Sequence, residues 1–331
     1  MKRILGGLLV IVLLLSLITI TVVAEERETE NYSMVVFTKG AEYFNWCYAG
    51  MQDAAKTLGN HVNVELQGPS DWDASQEART VEQVLAKRPN GIIISCADES
   101  TLIPVINRAI AGGVPIICFD SDSPDSDRLA YVGTDNHSFG AVAGKAIIDE
   151  IGTEGEVAIL LVPGAVSMEE RSQGCVDYLK EHAPNIKINY LNDEGDVSKA
   201  EQVTSALLQA NPNVKAVFST HGYGAPGAAA ATRNLGKTQD ICIIGSDYDS
   251  ATLELLKNKE VTGTVIDDPY LLGYQAMMLV YASAHPTDVL SARPPFGHVP
   301  ELIYGNCSLL TAEILADEHA AARYEKPPII D

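Results

Sequence analysis

The sequence is short of positive charge. Its 331 residues carry 23 Lys and Arg against 44 Asp and Glu, a formal net charge of −21. A surface of that sign repels nucleic acid and anionic lipid headgroups, which excludes polynucleotide partners. Cysteine is sparse and unpatterned: six residues, at 47, 96, 118, 175, 242 and 307, with no CxxC pair. That spacing argues against a disulfide-rich scaffold. Cys118 and Cys242 fall inside apolar runs, where a buried free thiol is the expected state. The seven His are scattered without ligand spacing, so no metal is expected. There is no GxSxG, no HExxH, no Walker loop and no suggestively placed Ser/His/Asp set. Low-complexity segments and short-period repeats are also missing.

What is present begins with a leader. Met1-Lys2-Arg3 is charged, an apolar run follows, and Thr21-Val22-Val23-Ala24 ends in small residues. Residues 1–24 therefore read as a secretory signal cut after Ala24. The apolar stretch is also long enough for the alternative of an uncleaved membrane anchor. No cysteine lies near Ala24, which argues against a lipid-anchored form. Losing Lys2 and Arg3 and no acid takes the net charge from −21 to −23. Residues 25–32, opening on EERETEN, read as a flexible tether. The remaining length fits two domains, and 46% hydrophobic content allows each a sizeable core.

From Met34 the pattern alternates strand and helix. Strands are predicted over 34–38, 62–67, 91–95 and 114–119, with helices over 44–58, 74–87 and 102–111 between them. A second alternation follows Asn136, with helices over 139–151, 168–182, 198–209, 227–235, 251–257 and 270–284. Strands over 156–162, 186–191, 214–219, 241–245 and 262–266 interleave with them. Runs such as GIIIS and PIICF do not alternate polar with apolar, which indicates parallel strands covered on both faces. Residues 294–309 read as mostly extended. The fold class is α/β: two Rossmann-like lobes with parallel sheets and a cleft between them.

Ligands of such sheets sit at the carboxyl ends of the strands. Lys39, Tyr43 and Phe44 follow the first strand, Ser95 the third, and Asp120-Ser121 the fourth. In the second half stand Arg171 in a first helical turn, His221, Asp247 and Asp267. Carboxylates, an arginine fork and aromatic faces suit a polyhydroxylated ligand. Each residue also has a purely structural reading. In that reading Asp120 is an ordinary strand-end turn residue. Arg171 would then pair with Glu169 or Glu170, Tyr43 or Phe44 would be core, His221 a helix cap, and Asp247 and Asp249 simple N-caps.

The segments TKGAEYFNWCYAGMQDAAKTLG, GIIISCADES, GGVPIICFDSDSPDSDRLAYVGTDN, EERSQG, VKAVFSTHGYGAPGAAAA, IIGSDYDS and GTVIDDP together resemble the periplasmic sugar-binding proteins of ABC transporters, ribose-binding type. The resemblance implies three chain crossings between lobes, near Thr134-Asp135, near Asp267-Asp268 and around Glu301. The N-terminal lobe would comprise 33–134 plus 268–300, and the C-terminal lobe 135–267 plus 301–331. It implies a stacking pair at Tyr43 and Phe44, sugar contacts from Ser95, Asp120, Arg171 and Asp247, His221 in place of an Asn, and Asp267 in place of a Gln. Ser121 stands where ribose binders carry Arg, Ala41 where they carry Asn, and Gly195 where an aromatic would sandwich the sugar. Lys39 and Asp120-Ser121-Asp122 look more like the rhamnose and autoinducer-2 branch. These departures point away from ribose itself; a different pentose, a deoxy sugar, a polyol or a ligand with a cationic group all remain open.

The resemblance implies no cofactor, a small carbohydrate or polyol ligand, an ABC permease as partner, and a monomer on the outer side of the membrane. Two other classes compete. A ligand-presenting protein for a chemoreceptor or sensor kinase would use the same fold. An NAD-binding enzyme would use Gly222, Gly224 and Gly227, a literal GxGxxG between strand and helix with Asp247 ending the next strand. Export away from cytoplasmic NAD and the presence of Pro226 in that turn weigh against it.

Overall fold

The computed structural model describes residues 28–285, 299–317 and 324. The expected leader and most of the tether lie outside these, as does 286–298. The first lobe runs β1 (Glu30–Val35), α1 (Glu42–Leu58), β2 (Val62–Gln67), α2 (Ala74–Ala86), β3 (Gly91–Ile94), α3 (Glu99–Ala111), β4 (Ile116–Phe119) and β5 (Ala130–Thr134). The second runs α4 (Asn136–Ile151), β6 (Glu156–Leu161), α5 (Val166–His182), β7 (Lys187–Asn192), α6 (Val197–Ala210), β8 (Val214–Ser219), α7 (Gly224–Asn234), β9 (Cys242–Ser246), α8 (Ser250–Lys257) and β10 (Gly263–Ile266). The chain then returns through α9 (Pro269–Ala284) and β11 (Leu302–Gly305) to the first lobe, and ends on β12 (Ser308–Leu310) and α10 (Ala312–Leu315) in the second.

Each lobe holds a six-stranded sheet. The orders are β11-β5-β4-β3-β1-β2 and β12-β10-β9-β8-β6-β7. All pairings are parallel except β10 with β12. Strands β3, β4 and β5 are buried at every position, as their unalternated sequences require. All six cysteines are free. Among the described residues no helix is long and apolar enough to cross a membrane.

Two expectations are corrected. The first strand begins at Glu30, inside the expected tether, because backbone pairing with β2 starts there: Glu30 aligns with Val62. Polar Glu30 and Asn31 hide a strand whose end is set by hydrogen bonds rather than burial. The third crossing is not at Glu301. β11 lies parallel to β5, Tyr131 donates its N–H to the Glu301 carbonyl, and the chain changes lobes between Gly305 and Ser308. The exposed edge of β5 offers an unpaired ladder, and β11 fills it.

The helices that follow the first two crossings are each locked by a glycine contact. α4 crosses α5 so closely that a Cβ on Gly140 would lie 1.9 Å from the Arg171 carbonyl oxygen, and one on Gly174 1.9 Å from that of His137. α9 crosses α1 in the same way, with Gly273 against Cys47 and Gly50 against Tyr270. Both helices start from an aspartate cap: Asp135 accepts the Ser138 N–H at 3.0 Å and Asp268 the Leu271 N–H at 3.1 Å.

Candidate functional site

The carboxyl ends of both sheets face each other across a cavity of about 380 Å³. Asp120 ends β4 and Asp247 ends β9, both with left-handed backbones (φ 59° and 68°). Aspartate tolerates that conformation better than most residues. It turns the chain over the strand end and leaves the carboxylate in the cleft. Asp120 accepts the Ser95 hydroxyl at 2.6 Å. Asp247 Oδ1 is buried and has no hydrogen-bond partner.

Arg171 is the cation at the centre, 4% exposed. Its Nε donates to Asn136 Oδ1 at 2.9 Å and a terminal N–H to the Thr220 carbonyl at 3.0 Å. Its guanidinium carbon stands 4.0 Å from the centre of the Phe139 ring. The other terminal nitrogen lies 3.9 Å from Asp267 Oδ2. It does not make the alternative pair with Glu169 or Glu170. Burial opposes its charge, but Asp247, Asp267 and Asp120 more than offset this and raise its pKa.

The carboxylates are pushed the other way. Burial lifts Asp247 to about 8, against a lowering by Arg171 and with a further rise from Asp267 and Asp120. Burial lifts Asp120 to about 6, moderated by Arg171 and Ser95. Asp267 is also raised by burial.

The expected residues do not all reach the cavity. Tyr43, Phe44, Asp120, Arg171, His221 and Asp247 line it. Phe44 does so from the core: it is 2% exposed and meets Phe37 edge-on at 5.1 Å. His221 presents its ring, but both nitrogens are engaged within its own lobe. Nε2 sits 2.9 Å from the Asp193 carboxylate and Nδ1 accepts the Tyr223 N–H at 3.3 Å. Four residues stand off. Ser95 is fully buried and supports Asp120. Ser121 is 2% exposed, turned inward by the tight bend that bonds its N–H to the Phe119 carbonyl at 2.7 Å. Lys39 is exposed outside the cavity, its backbone tied to Pro69. Asp267 lies behind the wall, accepting Thr134 at 2.7 Å and Tyr43 at 3.3 Å. Asp249 is the N-cap of α8, receiving the Thr252 N–H at 3.0 Å.

Sequence reasoning missed several contributors. Thr38, Met168 and Tyr223 line the cavity, and Asn136 aims Arg171. Trp72 was missed too. Gly195, where an aromatic was sought, has left-handed φ, and a Cβ there would lie 3.2 Å from the Trp72 ring. Trp72 belongs to the other lobe and stands behind the cavity, packed on the lining residue Phe37 with ring centres 4.1 Å apart.

The walls touch at the mouth. Glu42 on α1 accepts both the N–H (3.0 Å) and the hydroxyl (2.8 Å) of Ser250, the first residue of α8. A carboxylate there also meets the positive end of that helix. The Thr38 and Tyr223 hydroxyls meet at 3.5 Å. The lobes are therefore closed on the cavity.

Two lobes of mainly parallel sheet, crossed three times and closed on a cavity that sets a few charged groups among apolar walls, define a bilobal ligand-binding protein. Residues 32–285 match the periplasmic binding protein domain, and the chain belongs to that family. It is 28% identical over 291 residues to the D-allose-binding periplasmic protein of Escherichia coli K12, covering 85% of this chain and 92% of that protein. It is 29% identical over 240 residues to the ribose import binding protein of Bacillus subtilis 168, covering 72% and 76%. A carbohydrate transporter solute-binding protein from Agrobacterium radiobacter, solved in complex with D-arabinose, superposes with a TM-score of 0.80 at 26% identity, covering 89% and 99%. The glycines of the GxGxxG have a packing explanation: Cβ atoms on Gly224 and Gly227 would meet Ser219 Oγ at 2.2 Å and Ala200 Cβ at 2.5 Å.

Proposed function

We propose that the protein captures a small sugar or sugar-like polyol in this cleft, outside the cytoplasm, and delivers it to an ABC permease. The observation that carries this is the convergence of Asp120 from one lobe with Asp247 and Arg171 from the other on a single closed cavity. The relatives named for allose and ribose support the ligand class. Asp120 and Asp247 accept from hydroxyl groups, and Arg171 donates. Tyr43 and Phe44 pack on the apolar face of the ring. Ser95, Asp267 and His221 hold these contacts from behind. The cleft performs no chemical step on its ligand.

Thr134, Asp135 and Asp268 serve as the hinge, with the third link between Gly305 and Ser308. A ligand that bridges both walls favours the closed state, because only differential affinity shifts such an equilibrium. Micromolar affinity, about −8 kcal/mol, is within reach of a few charge-assisted bonds after ordering costs. The closed monomer then docks on the permease, having been exported by residues 1–24. A thermal-shift screen against sugars and polyols tests the reading. One class is expected to raise Tm by several degrees, and a flat response to every sugar and polyol would reject it.

A further inference from the structure

The cavity is rich in carboxylates and poor in cationic and amide donors. Among the described residues, Glu42, Asp120, Asp247 and Asp249 line it as carboxylates, Arg171 is its one guanidinium, and no lysine or amide side chain lines it. Asp267 adds another carboxylate just behind, 3.9 Å from Arg171. Arg171 commits two of its donors to Asn136 and Thr220. Glu42 and Asp249 are satisfied at the start of α8. Asp247 Oδ1 and Asp267 Oδ1 are buried and have no partner, and the Asp267 side chain is only 3% exposed. Ionising carboxylates that are buried without donors is costly, so the cleft keeps part of this set protonated until a cation arrives. A sugar hydroxyl donates one bond but also brings lone pairs into a site already crowded with them. An ammonium donates three, carries no lone pair, and supplies the positive charge that one arginine among these acids does not.

We infer that the ligand of this cleft carries a protonated amine: an amino sugar or amino polyol whose ammonium is received by Asp247. The inference rests on the sugar-binding function proposed above and narrows its ligand class. The remaining hydroxyls fall to Asp120 and Arg171, and the carbon face to Tyr43 and Phe44. The pKa shifts agree with this. With Asp247 held up at about 8, much of it is protonated at neutral pH, and an arriving cation displaces that proton.

The test is calorimetry on the whole protein at pH 7 with matched pairs that differ only by amine for hydroxyl. The pairs are D-glucosamine and D-glucose, D-galactosamine and D-galactose, D-mannosamine and D-mannose, and 1-amino-1-deoxy-D-sorbitol and D-sorbitol. In at least one pair the amino member is expected to bind about tenfold tighter or more. Its heat should vary with the ionisation enthalpy of the buffer, reporting proton release. Asp247→Asn, which keeps the side-chain shape and tolerates the left-handed backbone, is expected to remove the preference. Neutral members binding as well as or better than their amino partners throughout would overturn the inference and leave sugar binding standing. An amino preference unchanged in Asp247→Asn would overturn the assignment to Asp247. No binding by any member, neutral or amino, would overturn the inference, and the thermal-shift screen over the wider set of sugars and polyols then decides whether sugar binding stands.

Discussion

Asp120 and Asp247 are counterparts. Each ends the fourth strand of its lobe, each has a left-handed backbone, and each donates its N–H to the next strand, at Val132 and Val265 (3.1 and 3.0 Å). Each carbonyl then accepts a hydroxyl from that strand, Tyr131 or Thr264, at 2.6 Å. The two lobes thus present the same device to one cavity from opposite sides, although they share little sequence.

That equivalence predicts that neither carboxylate can be lost. Asp120→Ala is expected to weaken cognate ligand binding about a hundredfold, from loss of a charge-assisted acceptor. Its far-UV circular dichroism should stay that of wild type. Calorimetry giving a wild-type Kd would remove Asp120 from the site.

The pH dependence of stability follows from the raised carboxylates. In the unfolded chain Asp120 and Asp247 titrate at about 4. In the folded chain they hold their protons up to about 6 and about 8. Their contribution to stability is therefore full below about pH 4, and is lost as pH rises through those two values. Unliganded protein is expected to show a Tm that falls between pH 5 and pH 8.5, with a shallower fall in Asp247→Asn. Scanning calorimetry without ligand decides it, and a Tm rising over that window in wild type contradicts the shifts.

Arg171 restrains the same acids, so its loss should be pH-selective. Arg171→Ala removes the charge that lowers Asp120, Asp247 and Asp267. A cost of about 3 kcal/mol at pH 8, clearly smaller at pH 5, is expected in urea unfolding. An equal cost at both pH values would mean that packing on Phe139 is all Arg171 contributes to folding.

The contact at the mouth has its own signature. Glu42→Ala breaks both bonds to Ser250. It is expected to weaken every bound ligand by a common factor of about five to ten, through faster dissociation. Stopped-flow release of two different ligands separates this from a direct contact, which would affect them unequally.

Helix crossings are tested by Gly140→Ala. The added methyl collides with the Arg171 backbone. A loss of about 2 kcal/mol or more is expected, read as a lower urea midpoint. A midpoint within error of wild type would mean that α4 and α5 separate freely.

Much of this was legible in the chain because parallel strands buried on both faces leave continuous apolar runs. GIIIS and PIICF gave away β3 and β4, and the carboxylate after β4 followed from topology. What escaped was decided by contacts between distant residues. Nothing in the sequence says that Asp193 engages the His221 ring, or that a tight bend turns Ser121 inward while its neighbour Asp120 faces the cleft. β11 was misplaced because its pairing with β5 depends on an open sheet edge rather than on its own pattern. Trp72 was overlooked because the aromatic opposite Gly195 belongs to the other lobe, more than a hundred positions away.

The glycine crossing of α4 and α5 makes Arg171 the tip of a lever. Because α4 starts two residues beyond Thr134 and has no slack against the Arg171 backbone, a rotation of the first link carries the guanidinium with it. The angle between the lobes and the reach of the cation then become one coordinate. On the proposed function, a ligand slightly too large would hold the swing short of completion, and its size would be read as an angle by a partner on the outside of the molecule.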